Sequence, residues 1–238
     1  MSLFVIADLH LSLSTDKPMD IFGGWSDYVD RLKKNWLKLV SADDTVVIPG
    51  DISWGMSLES ARADFEFINN LPGRKIILKG NHDYWWTTKS KMENFFKDNG
   101  FSTINILNNN YYAYEKTAIC GTRGWINETN VPADKKVLLR EAGRLTTSIE
   151  AALKDGYKPL VFLHYPPVYS SDRNEEMLEV LKKFSISHCF YGHIHGKSCE
   201  YAINGLYDGI KYKLVASDFL QFAPLNITEF VQNDNSIA

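Results

Sequence analysis

Residues 75–83 read Lys-Ile-Ile-Leu-Lys-Gly-Asn-His-Asp, a short β-rich run that passes directly into a glycine and three polar residues. Two earlier stretches, Leu3 to Leu9 and Thr45 to Ile52, have the same character and also reach polar clusters. Helical periodicity separates the three runs. Strands that alternate with helices predict a βαβαβ start and a parallel sheet. The sequence therefore predicts an α/β fold.

Two helices are predicted between these strands because apolar residues recur there at three-to-four spacing. Ser26 is placed to cap the first helix, and Ser57 to open the second, which Pro72 and Gly73 close. The remaining predicted elements are a helix over 88–97, a β-rich stretch over 104–121, a loop over 122–132, helices near 138–153 and 174–184, strands over 160–163 and 187–191, and a hairpin around 208–209.

The composition is that of an ordinary packed globular protein. The chain has 238 residues, of which 45% are hydrophobic and 23% charged, and its formal net charge is -3. These values exclude disorder and argue against a protein held to nucleic acid or anionic lipid by its overall field. One domain over residues 1–238 is predicted. No apolar run is long enough to span a bilayer.

The three cysteines, Cys120, Cys189 and Cys199, fit neither a disulfide framework nor a Cys-x-x-Cys pair, which predicts reduced thiols. The N-terminus has no basic segment before its short apolar run. A cytoplasmic location is predicted.

Polar residues gather where the predicted strands end, and five of the six histidines are among them. Because the carboxyl ends of strands in an open α/β sheet form one crevice, these clusters are expected to converge. The candidate metal ligands are Asp8, His10, Asp51, Asn81, His164, His193 and His195. The sixth histidine, His188, begins a strand and is more typical of a structural residue.

Imidazole and carboxylate ligands without thiolate indicate Mn, Fe or Zn. Seven ligands exceed the three usual for one catalytic zinc, so two divalent ions with a bridging carboxylate are predicted. Such ions lie about 3.5 to 4 Å apart and can acidify a shared water to hydroxide. With Asp8, Asp51 and one hydroxide, the site would carry about one positive charge, which favours a phosphate substrate.

The order of these motifs closely resembles that of the calcineurin-like metallophosphoesterases. The motifs are Asp8-x-His10, Gly50-Asp51, Gly80-Asn81-His82-Asp83, His164 and Gly192-His193-x-His195. The resemblance implies a four-layer α/β/β/α sandwich with mixed sheets. It also implies one metal on Asp8, His10, Asp51 and His195, and a second on Asn81, His164 and His193 with the bridging Asp51.

The resemblance further implies that His82 is the acid that protonates the leaving oxygen, and that Asp83 holds it. Lys79 before Gly80 and Asp83 after His82 differ from the Arg-Gly-Asn-His-Glu typical of Ser/Thr protein phosphatases. The sequence is more similar to small bacterial predicted phosphohydrolases, and this likeness assigns no substrate.

Weaker features have two interpretations each. Arg123, bracketed by Gly121 and Gly124, is a candidate phosphate clamp or a solvated loop residue. Asn81 is a second candidate contact to substrate. Trp85 and Trp86 would either stack a ring of the substrate or pack in the core.

A binuclear metal-dependent hydrolase of phosphate mono- or diesters is therefore the leading hypothesis, with attack by metal-bridging hydroxide and a small phosphorylated substrate as its partner. A nuclease is an alternative, although the sequence has no basic tract to follow a phosphate backbone. A protein-binding scaffold with the same fold is another, against which the complete ligand set and His82 both argue.

Overall fold

The computed structural model describes residues 1–125 and 132–233. The helices are α1 (Tyr28–Leu39), α2 (Arg62–Asn70), α3 (Lys89–Asp98), α4 (Pro132–Lys154), α5 (Glu175–Lys183) and α6 (Thr228–Asn233), with a 3-10 helix over Gly196–Tyr201. The strands are β1 (Leu3–Val5), β2 (Thr45–Pro49), β3 (Arg74–Leu78), β4 (Ile104–Ile106), β5 (Tyr112–Tyr114), β6 (Thr117–Thr122), β7 (Lys158–Leu163), β8 (Val168–Tyr169), β9 (Asp172–Arg173), β10 (His188–Tyr191), β11 (Gly205–Tyr207), β12 (Ile210–Leu214) and β13 (Leu225–Asn226).

The first sheet has the order β13-β1-β2-β3-β4. Strands β1 to β4 are parallel, with Val5 opposite Val47 and Val47 opposite Ile76, and β13 is antiparallel to β1. The predicted βαβαβ start is confirmed. Parallel strands need long crossovers, and here α1 and α2 lie in them.

The second sheet has the order β11-β12-β10-β7-β6-β5. Its four inner strands are parallel, and the two outer strands are antiparallel to their neighbours. Both sheets are therefore mixed. The predicted hairpin joins β11 to β12, where Asp208 and Gly209 have φ of 49° and 80°. Positive φ at both turn residues is typical of the tight hairpin turn that the Asp-Gly pair favours.

Alternating side chains along the strands place the two sheets between two layers of helices. Phe4 packs with residues of α1, α2 and α3 in one core, whereas Leu3 and Val5 point into a middle core. In the second sheet Phe190 shares that middle core, and Cys189 packs with residues of α4 and α5. Since the middle core contains strand residues of both sheets, the layers run α/β/β/α, and the predicted four-layer sandwich is confirmed.

The two sheets touch directly at the end of β1. Ile6 still donates to Val47 of the first sheet at 3.1 Å, but Ala7 donates to Val215 beyond β12 at 2.8 Å. Asp8 then donates to Gly50 beyond β2 at 3.0 Å, so successive residues bond alternately to the two sheets. This junction places the carboxyl ends of β1, β2, β3, β7 and β10 at a common edge. Strand β1 itself is shorter than the predicted 3–9, because beyond Val5 the segment makes only an isolated bridge, from Ala7 to Ala216.

Two predicted helix starts are wrong. Helix α1 begins after Asp27, which has φ of 53° and makes no side-chain cap hydrogen bond, so Ser26 is not the cap. Helix α2 begins only after Ala61, because Ser57 and Ser60 hydrogen-bond each other in a separate turn. Residues 126–131 of the predicted loop lie outside the described residues. All three cysteines are unpaired, as predicted.

Candidate metal centre

Four of the seven predicted ligands have a backbone conformation that L-residues rarely adopt. The φ angles are 59° at Asp8, 46° at His10, 51° at Asp51 and 73° at His193. A left-handed residue other than glycine costs on the order of 1 to 3 kcal/mol and persists only where its surroundings fix it. Such residues cluster at functional sites, and here they follow directly on strands β1, β2 and β10.

Glycines let these loops approach one another closely. A Cβ at Gly80 would lie 2.1 Å from Oδ1 of Asp51, and a Cβ at Gly192 would lie 2.4 Å from Oδ2 of Asp8. In the space so created, the backbone N–H of His82 donates to Oδ1 of Asp51 at 2.8 Å. The N–H of His193 donates to Asp8 at 3.0 Å. The glycines of the third and fifth motifs are therefore required by packing.

The first group of ligand atoms comes from Asp8, His10 and His195, and its atoms all lie within 4.8 Å of one another. Nε2 of His10 is 3.4 Å from Nε2 of His195, and Nε2 of His195 is 3.6 Å from Oδ1 of Asp8. Asp8 and His10 are buried. Three donors converge on one small volume, which is what a metal ion requires.

The second group comes from Asp51, His164 and His193, again within 4.8 Å. Oδ1 of Asn81 belongs with it, because this oxygen lies 2.6 Å from Nε2 of His164 and 2.9 Å from Nδ1 of His193. His164 is fully buried, and its Nδ1 lies 3.1 Å from the carbonyl of Pro49. That contact fixes the ring so that Nε2 faces the group.

Asp51 lies between the two groups. Its Oδ2 is 3.7 Å from Nε2 of His10 in the first group and 3.5 Å from Nε2 of His164 in the second. A single carboxylate oxygen within reach of histidines from both groups has the position expected of a bridging ligand. The structure therefore brings all seven predicted residues together, in the two sets that the resemblance implies.

Burial keeps three of the histidines neutral. Desolvation lowers the pKa of His164 to about 3 and that of His193 to about 3, and it also lowers the pKa of His10. Burial and the carboxylate of Asp8 together raise the pKa of Asp51. Neutral imidazoles have a free lone pair, so these rings are ready to bind a metal at neutral pH.

His195 differs from the other histidines because a further carboxylate holds it. Its Nδ1 lies 2.9 Å from Oδ1 of Asp218, whose Oδ2 accepts a hydrogen bond from the N–H of Gly196 at 2.8 Å. Burial by itself would lower the pKa of His195, but the carboxylates of Asp8 and Asp218 outweigh it and raise that pKa to about 10. The charge count that predicted about one positive charge at the site did not include the carboxylate of Asp218.

Sequence reasoning missed Asp218. Its position after the carboxyl end of a strand could have indicated it, as for the other residues, since Asp218 lies four residues beyond the end of β12 at this edge. Asp218 lies outside the motifs that carry the family resemblance.

His82 is at the mouth of the centre and half-buried. Its ring centroid lies 5.7 Å from that of His10 and 4.4 Å from that of Trp54. Nδ1 of His82 is 3.4 Å from the hydroxyl of Tyr84. Burial lowers the pKa of His82, and the carboxylate of Asp8 partly opposes that shift.

Asp83 is turned away from the His82 ring, contrary to the expectation that it holds that ring. It is fully buried and accepts hydrogen bonds from the backbone N–H groups of Gly80 at 2.7 Å, Ile52 at 2.9 Å and Asp51 at 3.0 Å. The indole N–H of Trp85 adds a further bond at 3.0 Å. In the described residues, none of the hydrogen bonds of Asp83 goes to the His82 side chain. Asp83 instead ties the second motif to the third.

Trp85 packs in the core and not beside a substrate, since it is buried and its ring meets Phe65 edge-on at 4.8 Å. Trp86 lines a separate cavity of about 560 Å³ together with Lys79 and Arg123.

Arg123 is engaged by its neighbours. One of its terminal nitrogens is 3.8 Å from Oε1 of Glu141, and its guanidinium lies 4.5 Å from the ring centre of Trp125. The role of Arg123 as a phosphate clamp stays a prediction.

The family model of the calcineurin-like phosphoesterases matches residues 1–197. The chain belongs to this family and is a metal-dependent phosphoesterase. Together, the family and the two ligand groups support a binuclear divalent metal centre. The sequence comparison with curated proteins gave no match.

Two solved structures have a similar fold. A protein of unknown function from Aquifex aeolicus is 16% identical with a TM-score of 0.52, and the match covers 98% of both chains. The phosphopantetheinyl hydrolase of Mycobacterium tuberculosis is 13% identical with a TM-score of 0.52, over 90% of this chain and 88% of that one. At these identities the likeness concerns the fold alone. Among the described helices, none is long and apolar enough to cross a membrane.

Proposed function

We propose that the chain hydrolyses phosphate mono- or diesters of small molecules with two divalent transition-metal ions at this edge of the sandwich. The observation that supports this proposal most directly is the position of Asp51, whose Oδ2 lies within 3.7 Å of histidine nitrogens from both ligand groups. A carboxylate so placed can serve two cations at once.

The donor set fits such a pair of ions. It consists of carboxylate, amide and imidazole groups with no thiolate, which suits Mn, Fe or Zn. Asp8, His10, Asp51 and His195 would hold one ion, and Asp51, Asn81, His164 and His193 the other. His164 and His193 need lose no proton to bind, because burial already lowers the pKa of each to about 3.

A bound pair of divalent ions would acidify the attacking water and withdraw charge from the phosphoryl oxygens. The residues of the chain would position the motifs and the substrate. Asp51 receives the backbone N–H of His82 and so fixes the third motif against the ligand groups. Asn81 directs its amide oxygen at the second group, which leaves its NH₂ group as a donor toward a phosphoryl oxygen.

His82 would protonate the leaving oxygen. Its Nδ1 faces the Tyr84 hydroxyl, and the other ring nitrogen, Nε2, makes no hydrogen bond among the described residues. Nε2 is therefore the atom that would carry the proton. An alkoxide needs that proton to depart, and general acid catalysis typically contributes a factor of about 10² to 10⁴.

The alternatives receive less support. A scaffold would need neither the neutral, converging histidines nor a half-buried His82. A nuclease would need a strip of cationic side chains along a nucleic-acid backbone, whereas the chain has a formal net charge of -3. A cytoplasmic location is part of the proposal, and the three unpaired cysteines support it.

The test is metal content and turnover after loading with Mn²⁺. We expect two ions per chain and hydrolysis of nitrophenyl phosphate or of its diester. Asp51→Asn is expected to lose both ions and all turnover, whereas the exposed Asp43→Asn keeps them. One ion per chain in the unsubstituted protein, or the loss of a single ion in Asp51→Asn, would contradict the bridging assignment.

A further inference from the structure

A cavity of about 260 Å³, here called the aromatic pocket, opens beside the second ligand group. Tyr165, Pro166, Tyr169, Trp125 and His193 contribute to its wall. His193 belongs both to the second ligand group and to the pocket wall. Its Nδ1 lies 2.9 Å from Oδ1 of Asn81, and its ring borders the pocket. A substrate whose phosphate is at the ligand groups would therefore have this pocket as its neighbour.

Aromatic and proline rings form one part of the pocket wall, and Asp172, Arg173, Asn174 and Ile194 form the remainder. The ring centroid of Tyr165 is 4.3 Å from that of His193, and the ring of Trp125 meets Tyr165 at 5.6 Å. Pro166 follows Tyr165, and Tyr169 begins the turn between β8 and β9. Surfaces of this kind favour a planar, polarisable ring over a flexible polar group.

Trp125 is held in place from several sides. A Cβ at Gly124, where φ is 72°, would lie 3.3 Å from the carbonyl of Tyr165, so the glycine permits close passage of the two segments. The side-chain NH₂ of Asn174 donates to the carbonyl of Trp125 at 2.9 Å. The guanidinium of Arg123 covers one face of the indole at 4.5 Å. A wall fixed in advance loses little entropy when a ligand binds.

The size of the cavity limits what enters it. Pockets for drug-sized ligands are about 300 to 1,000 Å³, so 260 Å³ suits one fused or single ring system. The exposed carboxylate of Asp172 provides a polar group at the side of β9, where the edge of a heterocycle could find a hydrogen-bond acceptor.

We infer that the aromatic pocket binds a planar aromatic ring of the substrate, so that the preferred phosphate esters are those that carry such a ring, with nucleotides as the biological class. This inference rests on the proposed phosphoesterase function. It places ring recognition at Trp125, Tyr165 and Tyr169, and not at Trp85 or Trp86.

The test compares two esters that differ only in the ring, adenosine 5′-monophosphate and ribose 5-phosphate, together with the methyl diester of each. The protein is expected to hydrolyse either the two monoesters or the two methyl diesters. Within the pair that it hydrolyses, we expect the Mn²⁺-loaded protein to have a higher kcat/KM for the adenosine compound than for the ribose compound. Tyr169→Ala should lower that preference about 5- to 150-fold, the range for loss of one stacking contact. Tyr169→Phe should retain it, because the ring is kept.

Phe230→Ala removes an exposed ring outside the pocket and is the matched control. Trp86→Ala tests the other cavity: if it removes the preference and Tyr169→Ala does not, the inference is overturned. Turnover of both compounds with no preference for the ring overturns the inference and leaves the phosphoesterase proposal standing. No turnover of any phosphate ester, nitrophenyl phosphate included, overturns both.

A second measurement does not depend on turnover. Adenosine, which has no phosphate, should bind the metal-free protein in ligand-observed NMR, and Tyr169→Ala should abolish this signal while Phe230→Ala keeps it. Equal signals from all three proteins would show that the ring binds elsewhere.

Discussion

The carboxylate of Asp218 lies 2.9 Å from Nδ1 of His195 and so determines that Nε2 of this ring faces Asp8. Carboxylates that hold the far nitrogen of a metal-binding histidine orient the ring and raise its basicity. Asp218 also accepts the N–H of Gly196, so the carboxylate is itself fixed. It is a positioning residue for the first ligand group.

Asp218→Asn should therefore weaken metal binding by the first group and spare the second. Loss of such an outer carboxylate typically costs about 10- to 100-fold in metal affinity. Competition with a chelator that reports free Mn²⁺ would resolve one weakened and one unchanged site. Asp43→Asn, an exposed carboxylate, is the control. Equal weakening of both sites would mean that Asp218 supports the whole edge and not one ligand.

The stability of the metal-free protein should fall as the pH rises from 6.5 to about 10. The pKa of His195 is raised from 6.5 to about 10 in the folded chain, so over this range the folded state holds a proton that the unfolded state releases. The stabilisation is complete below pH 6.5 and is lost as the pH passes the folded pKa. The midpoint of urea unfolding measures the effect.

His195→Asn should show a smaller fall over the same range, and Asp218→Asn an intermediate one. Other groups titrate toward the upper end of this range. Buried cysteines and tyrosines add to the fall, whereas burial lowers the pKa of Lys75 to about 8 and so opposes it. These variants leave all of those groups in place. A fall of the same size in His195→Asn would assign the whole effect to those other groups.

Much of this centre is predictable from the strand-end rule. Asp8 and His195 lie far apart in sequence, yet each follows an apolar strand, and the carboxyl ends of these strands meet at one edge. Hydrophobic runs determine which segments become strands, and the chain direction then determines where their ends lie. For that reason the sandwich was predicted correctly, and the seven candidate ligands lie together as expected, while their binding of metal stays a prediction.

The direction of individual side chains was not predictable in the same way. Asp83 points toward the N–H groups of Gly80 and Asp51 because the loop dihedrals expose those donors to it, and no periodic pattern encodes such dihedrals. Asp27, with φ of 53°, ends the turn before α1 in place of Ser26 for the same reason. Contacts that depend on loop conformation require the structure.

Asp83→Asn should destabilise the protein and lower turnover of all esters equally. An amide replaces one acceptor oxygen with a donor NH₂ group, which leaves at least two buried N–H groups without a partner. Each unpaired buried donor costs about 1 to 3 kcal/mol, so a loss of about 2 to 6 kcal/mol is expected in urea unfolding. The exposed Asp98→Asn provides the control. Unchanged stability with a loss confined to alkyl esters would instead return Asp83 to the role of holding His82.

His82→Asn should keep both metal ions and slow turnover in a way that depends on the leaving group. Nitrophenolate departs without a proton and an alkoxide does not, so we expect a small loss on nitrophenyl phosphate. On an alkyl phosphate the expected loss is about 10²- to 10⁴-fold, or roughly 3 to 5 kcal/mol of barrier.

The pH profile gives an independent measure of the same group. The acid must be protonated, so kcat/KM for the alkyl ester should fall as the pH rises through the pKa of His82, which burial holds below 6.5 in the metal-free protein. This limb should be absent from His82→Asn. Tyr84→Phe, which removes only the hydroxyl near Nδ1, should retain the leaving-group dependence of the unsubstituted protein. Equal losses of His82→Asn on both esters would show that His82 positions the phosphate, and loss of metal would make it a ligand.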